Sequence, residues 1–205
     1  SLFLPYAKGG NNAEINGKID MPGKRVTLLG TIPDLTYEGK SFKQIKINES
    51  GDEFKLNSDI SAEDIRLSDS FHLPGAHLYV ASQNDSSIIQ LKTGSNNTIQ
   101  EAELNASFQG YSNGFKLHFF PSGFYINDKK WTLEKDGELI LRKDQIKIND
   151  IRFVQGNQSL KLTTELDDES NQQRIIAILD SMELGDFMPL VLKEPRLGSK
   201  VSGKI

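Results

Sequence analysis

Phe115-Lys116-Leu117-His118-Phe119 sets apolar and polar side chains in alternation, and Leu104-Asn105-Ala106-Ser107-Phe108 does the same just before it. Successive side chains of a β-strand point to opposite faces, so each stretch has one apolar and one wet face. Toward the N-terminus the pattern continues through Ile89-Gln90-Leu91, Leu78-Tyr79-Val80, Ile65-Arg66-Leu67, Phe54-Lys55-Leu56 and Ile45-Lys46-Ile47. Toward the C-terminus it runs through Phe124-Tyr125-Ile126, Trp131-Thr132-Leu133, Leu139-Ile140-Leu141, Ile146-Lys147-Ile148 and Leu160-Lys161-Leu162. Units that recur every ~7 to 15 residues suit antiparallel strands joined by short loops, since parallel strands need a helix between them.

Turn chemistry is expected between the units. Asn48-Glu49-Ser50-Gly51-Asp52, Ser112-Asn113-Gly114, Asn127-Asp128-Lys129-Lys130, Lys135-Asp136-Gly137, Arg142-Lys143-Asp144 and Gly156-Asn157 carry the residues that turns favour. At Asn149-Asp150 the apolar phase flips, from Ile146 and Ile148 to Ile151 and Phe153, which predicts a bulge or tight turn. Within Arg174–Glu183 two readings stand side by side. Ile175, Ile178, Leu179 and Met182 fall at helical spacing after a cap at Ser170, yet Ile175-Ile176-Ala177-Ile178 is β-branched enough for a strand. A short helix from about Gly185 to Leu192 is a further placement. The expected fold is all-β, an elongated antiparallel meander with at most one or two short helices near the C-terminal end.

No segment reads as a domain linker, so residues 1–205 are expected to form a single elongated domain. Ser1 in the place of Met and the uncapped ending Val201-Ser202-Gly203-Lys204-Ile205 lead to the expectation of a fragment of a longer chain.

The net charge of −4 is spread along the chain without a basic patch, which makes nucleic acid a poor partner. The longest apolar run, Ile175–Leu179, is far short of the ~20 residues of a membrane-spanning helix. The absence of cysteine removes disulfides, thiolate metal sites and a cysteine nucleophile. Asn-X-Ser/Thr triplets at Asn48, Asn84, Asn96, Asn105 and Asn157 read as polar residues of strand faces and turns.

Catalytic patterns are missing. His72 and His77 are five apart across Pro74-Gly75, and neither HExxH nor an EF-hand loop accompanies them, so no metal is expected. His118 falls on the polar side of its strand. There is no Gly-X-Ser-X-Gly elbow, no Ser-X-X-Lys and no phosphate-cradling glycine loop, and Asp167-Asp168-Glu169 lies in a polar run. An enzyme is not expected, nor a cofactor. Trp131 with Phe115, Phe119 and Phe124 makes the densest aromatic region, which reads either as sheet core or as part of an apolar surface left open for a ligand.

From about Gln109 to Ile205 the chain resembles the C-terminal region of the TamB (translocation and assembly module) and AsmA-like family, in its Bacteroidetes-like bacterial form. The resemblance rests on Phe119-Phe120-Pro121-Ser122-Gly123-Phe124-Tyr125-Ile126-Asn127-Asp128-Lys129-Lys130-Trp131, then Ile146–Phe153, Asn157–Leu162, Leu184–Leu190 and Arg196–Ile205, in that order. Val26–Tyr37 is similar to a preceding unit. Thr163-Thr164 departs from the family, which more often has a glycine there. The resemblance implies a sheet curled like a taco shell around an apolar concave face. It further implies a periplasmic location with the full-length protein anchored in the inner membrane, phospholipid acyl chains as cargo passed toward the outer membrane or assistance to outer-membrane protein assembly, and an outer-membrane barrel as partner.

On that picture the groove lining is expected to comprise Phe115, Leu117, Trp131, Leu133, Leu139, Leu141, Ile146, Ile148, Leu160 and Leu162. An acyl chain of ~15 methylenes leaving water for such a lining would gain on the order of 12 kcal/mol, at about 0.8 each. The competing expectation is a closed β-sandwich or solenoid, its apolar faces buried against each other, serving as a scaffold or binding module.

Overall fold

The computed structural model describes residues 7–67, 72–94, 99–126, 128–134, 137–143, 145–166, 173–183 and 200–204. These form one antiparallel sheet. Its strands are β1 (Ala7–Gly9), β2 (Glu14–Asp20), β3 (Arg25–Tyr37), β4 (Lys40–Asp52), β5 (Lys55–Arg66), β6 (His72–Gln83), β7 (Ser86–Thr93) and β8 (Ile99–Tyr111). They continue as β9 (Gly114–Phe119), β10 (Ser122–Ile126), β11 (Lys129–Leu133), β12 (Glu138–Arg142), β13 (Gln145–Asn149), β14 (Ile151–Gln155), β15 (Gln158–Leu166), β16 (Gln173–Glu183) and β17 (Lys200–Lys204). No helix occurs among the described residues, and the sheet is not closed into a barrel. The all-β meander is therefore the fold. Ile175–Ile178 lies in β16, a strand; the helix expected at Gly185–Leu192 lies outside the described residues.

Six of the strands are halves of longer ones. β9 and β10 both pair with β8; β12 and β11 continue on β9 and β10; β13 and β14 follow on β12 and β11. The interruptions at Phe120-Pro121, at residues 134–137 and at Asp150 therefore stand side by side and make a line across the sheet. Proline cannot donate to a ladder, which accounts for the first break. Gly137 sits in the second, where a Cβ would come within 3.2 Å of Ile151 Cα. The third is a single residue in the left-handed region, Asp150 at φ 46°.

A second line, displaced from the first along the strands, runs through β3 to β6 without breaking them: the break at Phe120 lies opposite Asn105, Gln90 and Tyr79, whereas this one passes through Gly75. Pro33, Gln44 (φ 49°), Glu63 and Gly75 (φ 56°) fall opposite one another, flanked by the pairs Ile32↔Ile45 and Asp34↔Lys43 on one ladder and Ala62↔Ala76 and Asp64↔Pro74 on another. At each crossing the apolar phase slips by one: Ile32 to Leu35, Ile45 to Phe42, Ala62 to Ile65, Ala76 to Leu73, and Ile148 to Ile151. The expected bulge at Asn149-Asp150 thus has counterparts on other strands. Across the line of breaks at Phe120-Pro121, residues 134–137 and Asp150, Leu133, Ile148 and Ile151 form one buried cluster with Phe119 and Leu139 packed against it, so the sheet folds toward its apolar face there.

Two expected turns are corrected. Asn48–Asp52 is the end of β4, and the chain reverses after it, where Asp52 Oδ1 accepts from the backbone N–H of Phe54 and Lys55. The segment around Gly137 joins two halves of one long strand and reverses nothing; Lys135 and Asp136 themselves lie outside the described residues. Thr163-Thr164 does not end β15, which runs on to Leu166. Its hydroxyls replace ladder bonds lost at the fold line: Ile148 N–H donates to Thr164 Oγ1 at 2.8 Å, and Thr163 Oγ1 donates to Ile148 O at 3.5 Å.

Candidate functional site: the apolar face of the sheet

Strand register settles which side chains share a face, because directly opposed residues point the same way. Phe115 opposes Leu141, which opposes Ile146; Leu117 opposes Leu139, which opposes Ile148. Leu133 opposes Phe153, which opposes Leu160 and then Leu179; Ile151 opposes Leu162. Trp131 shares β11 with Leu133 at a spacing of two. All ten expected lining residues therefore lie on one face.

They do not share one environment. Trp131 is 0% exposed and packs with Ile126 and Met182, against which Phe124, Phe153, Leu160 and Leu179 close. Leu133 and Ile148 belong to the cluster at the fold line. These three are dry core. Phe115, Leu117, Leu139, Leu141, Leu160 and Leu162 are half-buried, and Ile146 is 43% exposed. Of the two readings of the aromatic region, Trp131 takes the core one, stacked on Phe124 at 6.5 Å between ring centroids.

The core forms here because the sheet curls. Met182 on β16 reaches Trp131 on β11, with β14 and β15 between them in the sheet. Ser181, at φ 52°, shifts the phase so that Met182 falls on the apolar face after Leu179. The helical spacing of Ile175, Ile178, Leu179 and Met182 is the product of this slip. Lys129 Nζ meets Glu183 Oε2 at 2.6 Å, and Gln158 Oε1 accepts from Glu183 N–H at 2.7 Å, holding the end of β16 over the start of β11.

Toward β2 the same face is uncovered. Ile15 opposes Gly30, which opposes Ile47 and then Ile60; Ile19 opposes Val26. Ile15, Ile19, Val26 and Leu56 are 59%, 71%, 37% and 36% exposed. Sequence reasoning centred on the C-terminal half missed this open stretch, although Ile15 and Ile19 already stand at strand spacing on either side of Gly17.

The opposite face carries cross-strand charge pairs. Lys92 faces Glu103 at 3.5 Å, Arg152 faces Glu134 at 3.5 Å, and His77 Nε2 lies 2.8 Å from Asp59. Each is worth roughly 0–1 kcal/mol, but the row keeps this face in water. His72 bonds Asp64 at 3.0 Å and His118 stands 3.5 Å from Glu138, so each histidine has its own carboxylate. Asn149, the strongest influence, together with Lys116 and His118 holds the Glu138 carboxyl below its usual range against the opposing effect of burial. Among the described residues no three His, Asp or Glu side chains are grouped to hold a metal ion.

Comparison with family models, with curated proteins and with solved structures gives no match, so the reading of this face rests on its own geometry and chemistry.

Proposed function

We propose that this chain is a segment of a cell-envelope lipid-transfer protein of the TamB and AsmA-like kind, carrying phospholipid acyl chains along the apolar face of its curled sheet. The observation that supports this most is the uncovered stretch from β2 to β5: Ile15, Ile19, Val26 and Leu56 stay in contact with solvent on the face that elsewhere forms core. Monomeric proteins seldom leave contiguous apolar surface open without a ligand or partner for it. Its Ile, Leu and Val side chains offer no directional contacts, and Ser58 and Glu49 on the same face bond each other, so a chain would slide past them while its headgroup stays in water. On this reading the full-length protein is anchored in the inner membrane, lies in the periplasm and delivers lipid toward an outer-membrane barrel partner. The segment does no chemistry.

A second reading, a scaffold or binding module, is favoured by the dry cluster around Trp131, which leaves no room for a chain at that point. Native mass spectrometry of the protein purified from bacterial cells separates the two. Lipid transfer predicts co-purified phospholipid that is lost in Leu141→Asp while the circular dichroism of the sheet persists. Protein that emerges free of lipid, and takes none from phospholipid vesicles, would leave the scaffold.

A further inference from the structure

β2 lies at one edge of the sheet. It pairs with β3 in unbroken register from Glu14 to Asp20 and with no other strand among the described residues, so its outer row of backbone N–H and C=O groups is unpaired there. Every residue from Glu14 to Ile19 is exposed. An open strand edge is a template for another strand, and proteins deter that with proline, a bulge or charge. β2 has neither proline nor bulge; its charges are Glu14, Lys18 and Asp20. Asp20 turns back on its own loop, accepting from Gly23 N–H at 3.3 Å, whereas Glu14 and Lys18 make no ion pair among the described residues.

A second copy can be added at this edge in two ways that keep the apolar face on one side. In the same orientation it brings its β17 beside β2. An even number of antiparallel ladders separates those two strands, so they run in the same sense and would pair parallel. Rotated by half a turn about the sheet normal, it brings β2 beside β2, antiparallel like every other ladder of the sheet. Two symmetric registers then pair most of the strand. Centred on Gly17, Glu14 falls opposite Asp20 twice, like charge against like. Centred on Asn16, Glu14 falls opposite Lys18 twice and Asn16 meets Asn16. Ile15 then falls opposite Gly17, where a Cβ would come no nearer than 3.5 Å to Leu28 Cδ1, so the dip has room for it. Charges that deter an arbitrary strand thus complement a copy of their own, because Glu14 and Lys18 stand symmetrically about Asn16.

We propose that the β2 edge is a self-association site, at which two copies pair β2 to β2, antiparallel about Asn16, and join their apolar faces into one continuous sheet. The inference goes beyond lipid carriage and does not rest on it. Backbone groups and the Glu14–Lys18 pairs make the contact, while the faces of Ile15 and Ile19 stay open. The open stretches of two copies become neighbours, which doubles the uncovered apolar surface.

The chain contains no cysteine, so one introduced thiol can form a disulfide only between copies. Asn16→Cys is expected to give a disulfide-linked dimer on mild oxidation and Gly17→Cys is not, since opposed Cβ atoms lie about 4.5–5.5 Å apart and diagonal neighbours about 7–8 Å. In analytical ultracentrifugation of lipid-free protein, Lys18→Glu should weaken the dimer about tenfold, as both charged pairs become like-charged. Glu14→Lys combined with Lys18→Glu in one chain should restore it. All of these positions are exposed, and circular dichroism checks that the sheet persists in each variant. A chain that stays monomeric up to about 1 mM would overturn the proposal. So would a dimer indifferent to Lys18→Glu, a charge swap that fails to restore association, or cross-linking through Gly17→Cys in place of Asn16→Cys. Each of these results leaves lipid carriage standing, because loading from phospholipid vesicles tests that separately.

Discussion

At Glu138 on β12 the two neighbouring strands β9 and β13 bring polar groups to one carboxylate. Asn149 Nδ2 donates to Oε2 at 3.2 Å, Lys116 Nζ donates to Oε1 at 3.3 Å, and His118 Nδ1 stands 3.5 Å from the same oxygen. The amide of Asn149 contributes most to holding the carboxyl low, followed among the favourable contacts by Lys116 and His118. A group whose folded value is lowered binds its proton more readily in the unfolded chain. Its contribution is therefore complete above the unfolded value, near 4.5, and disappears as pH falls through the folded one. Glu138→Gln keeps the shape and removes the charge. Urea denaturation should find the variant less stable by roughly 1 kcal/mol at pH 7, allowing for partial solvent screening. The gap should narrow steadily below about pH 4.5. A gap that stays constant down to pH 3 would mean that the carboxylate is not the stabilising species.

At the scale of the strand, the device that shapes this sheet is a single residue out of phase, repeated in neighbouring strands. Asp150 shows its logic most simply, since Ile148 precedes it and Ile151 follows it, both buried in one cluster. With a strict two-residue period, 148 and 151 would point to opposite faces. A residue at φ 46° absorbs the difference and bends the strand. Asp150→Gly is expected to be tolerated within about 0.5 kcal/mol, losing only the ion pair to Lys161. Asp150→Val should cost about 1–2 kcal/mol in chemical denaturation, because a β-branched side chain resists the left-handed region. Equal stability of the two variants would remove backbone strain from the account. The strands themselves were legible in the sequence, since alternation is written into the residues that must face core and water. The flip at Asn149-Asp150 was legible for the same reason, with isoleucines on both sides of it. The matching slips at Gln44, Glu63 and Gly75 were not, because short polar residues and alanines around them blur the phase. Nor could local pattern place Met182 on Trp131, a contact that exists only once the sheet has curled.

Over the whole molecule one apolar face passes from sealed to open. Around Trp131 the curl brings β16 against β11, and the two strands seal the face between them. Toward β2 the face is open at Ile15, Ile19, Val26 and Leu56, while Ile45 on β4 and Ala62 on β5 are already buried. Stability and ligand capture therefore belong to different stretches of the same surface, which makes them separable by mutation. Ile19→Asp combined with Leu56→Asp alters side chains that already contact water, so urea denaturation should register a change within about 1 kcal/mol for the pair. Trp131→Ala opens a cavity in the sealed part and should cost about 3–5 kcal/mol in the same assay. If acyl chains use the open stretch, the double variant must lose vesicle-derived phospholipid while remaining folded, because it adds two carboxylates to a face where Ser58 Oγ bonds the one at Glu49, and the added ones cannot be buried under a methylene chain. A double variant that keeps its full lipid load would place the acyl chains elsewhere, and the exposure of Ile15, Ile19 and Leu56 would then need a protein partner to cover them.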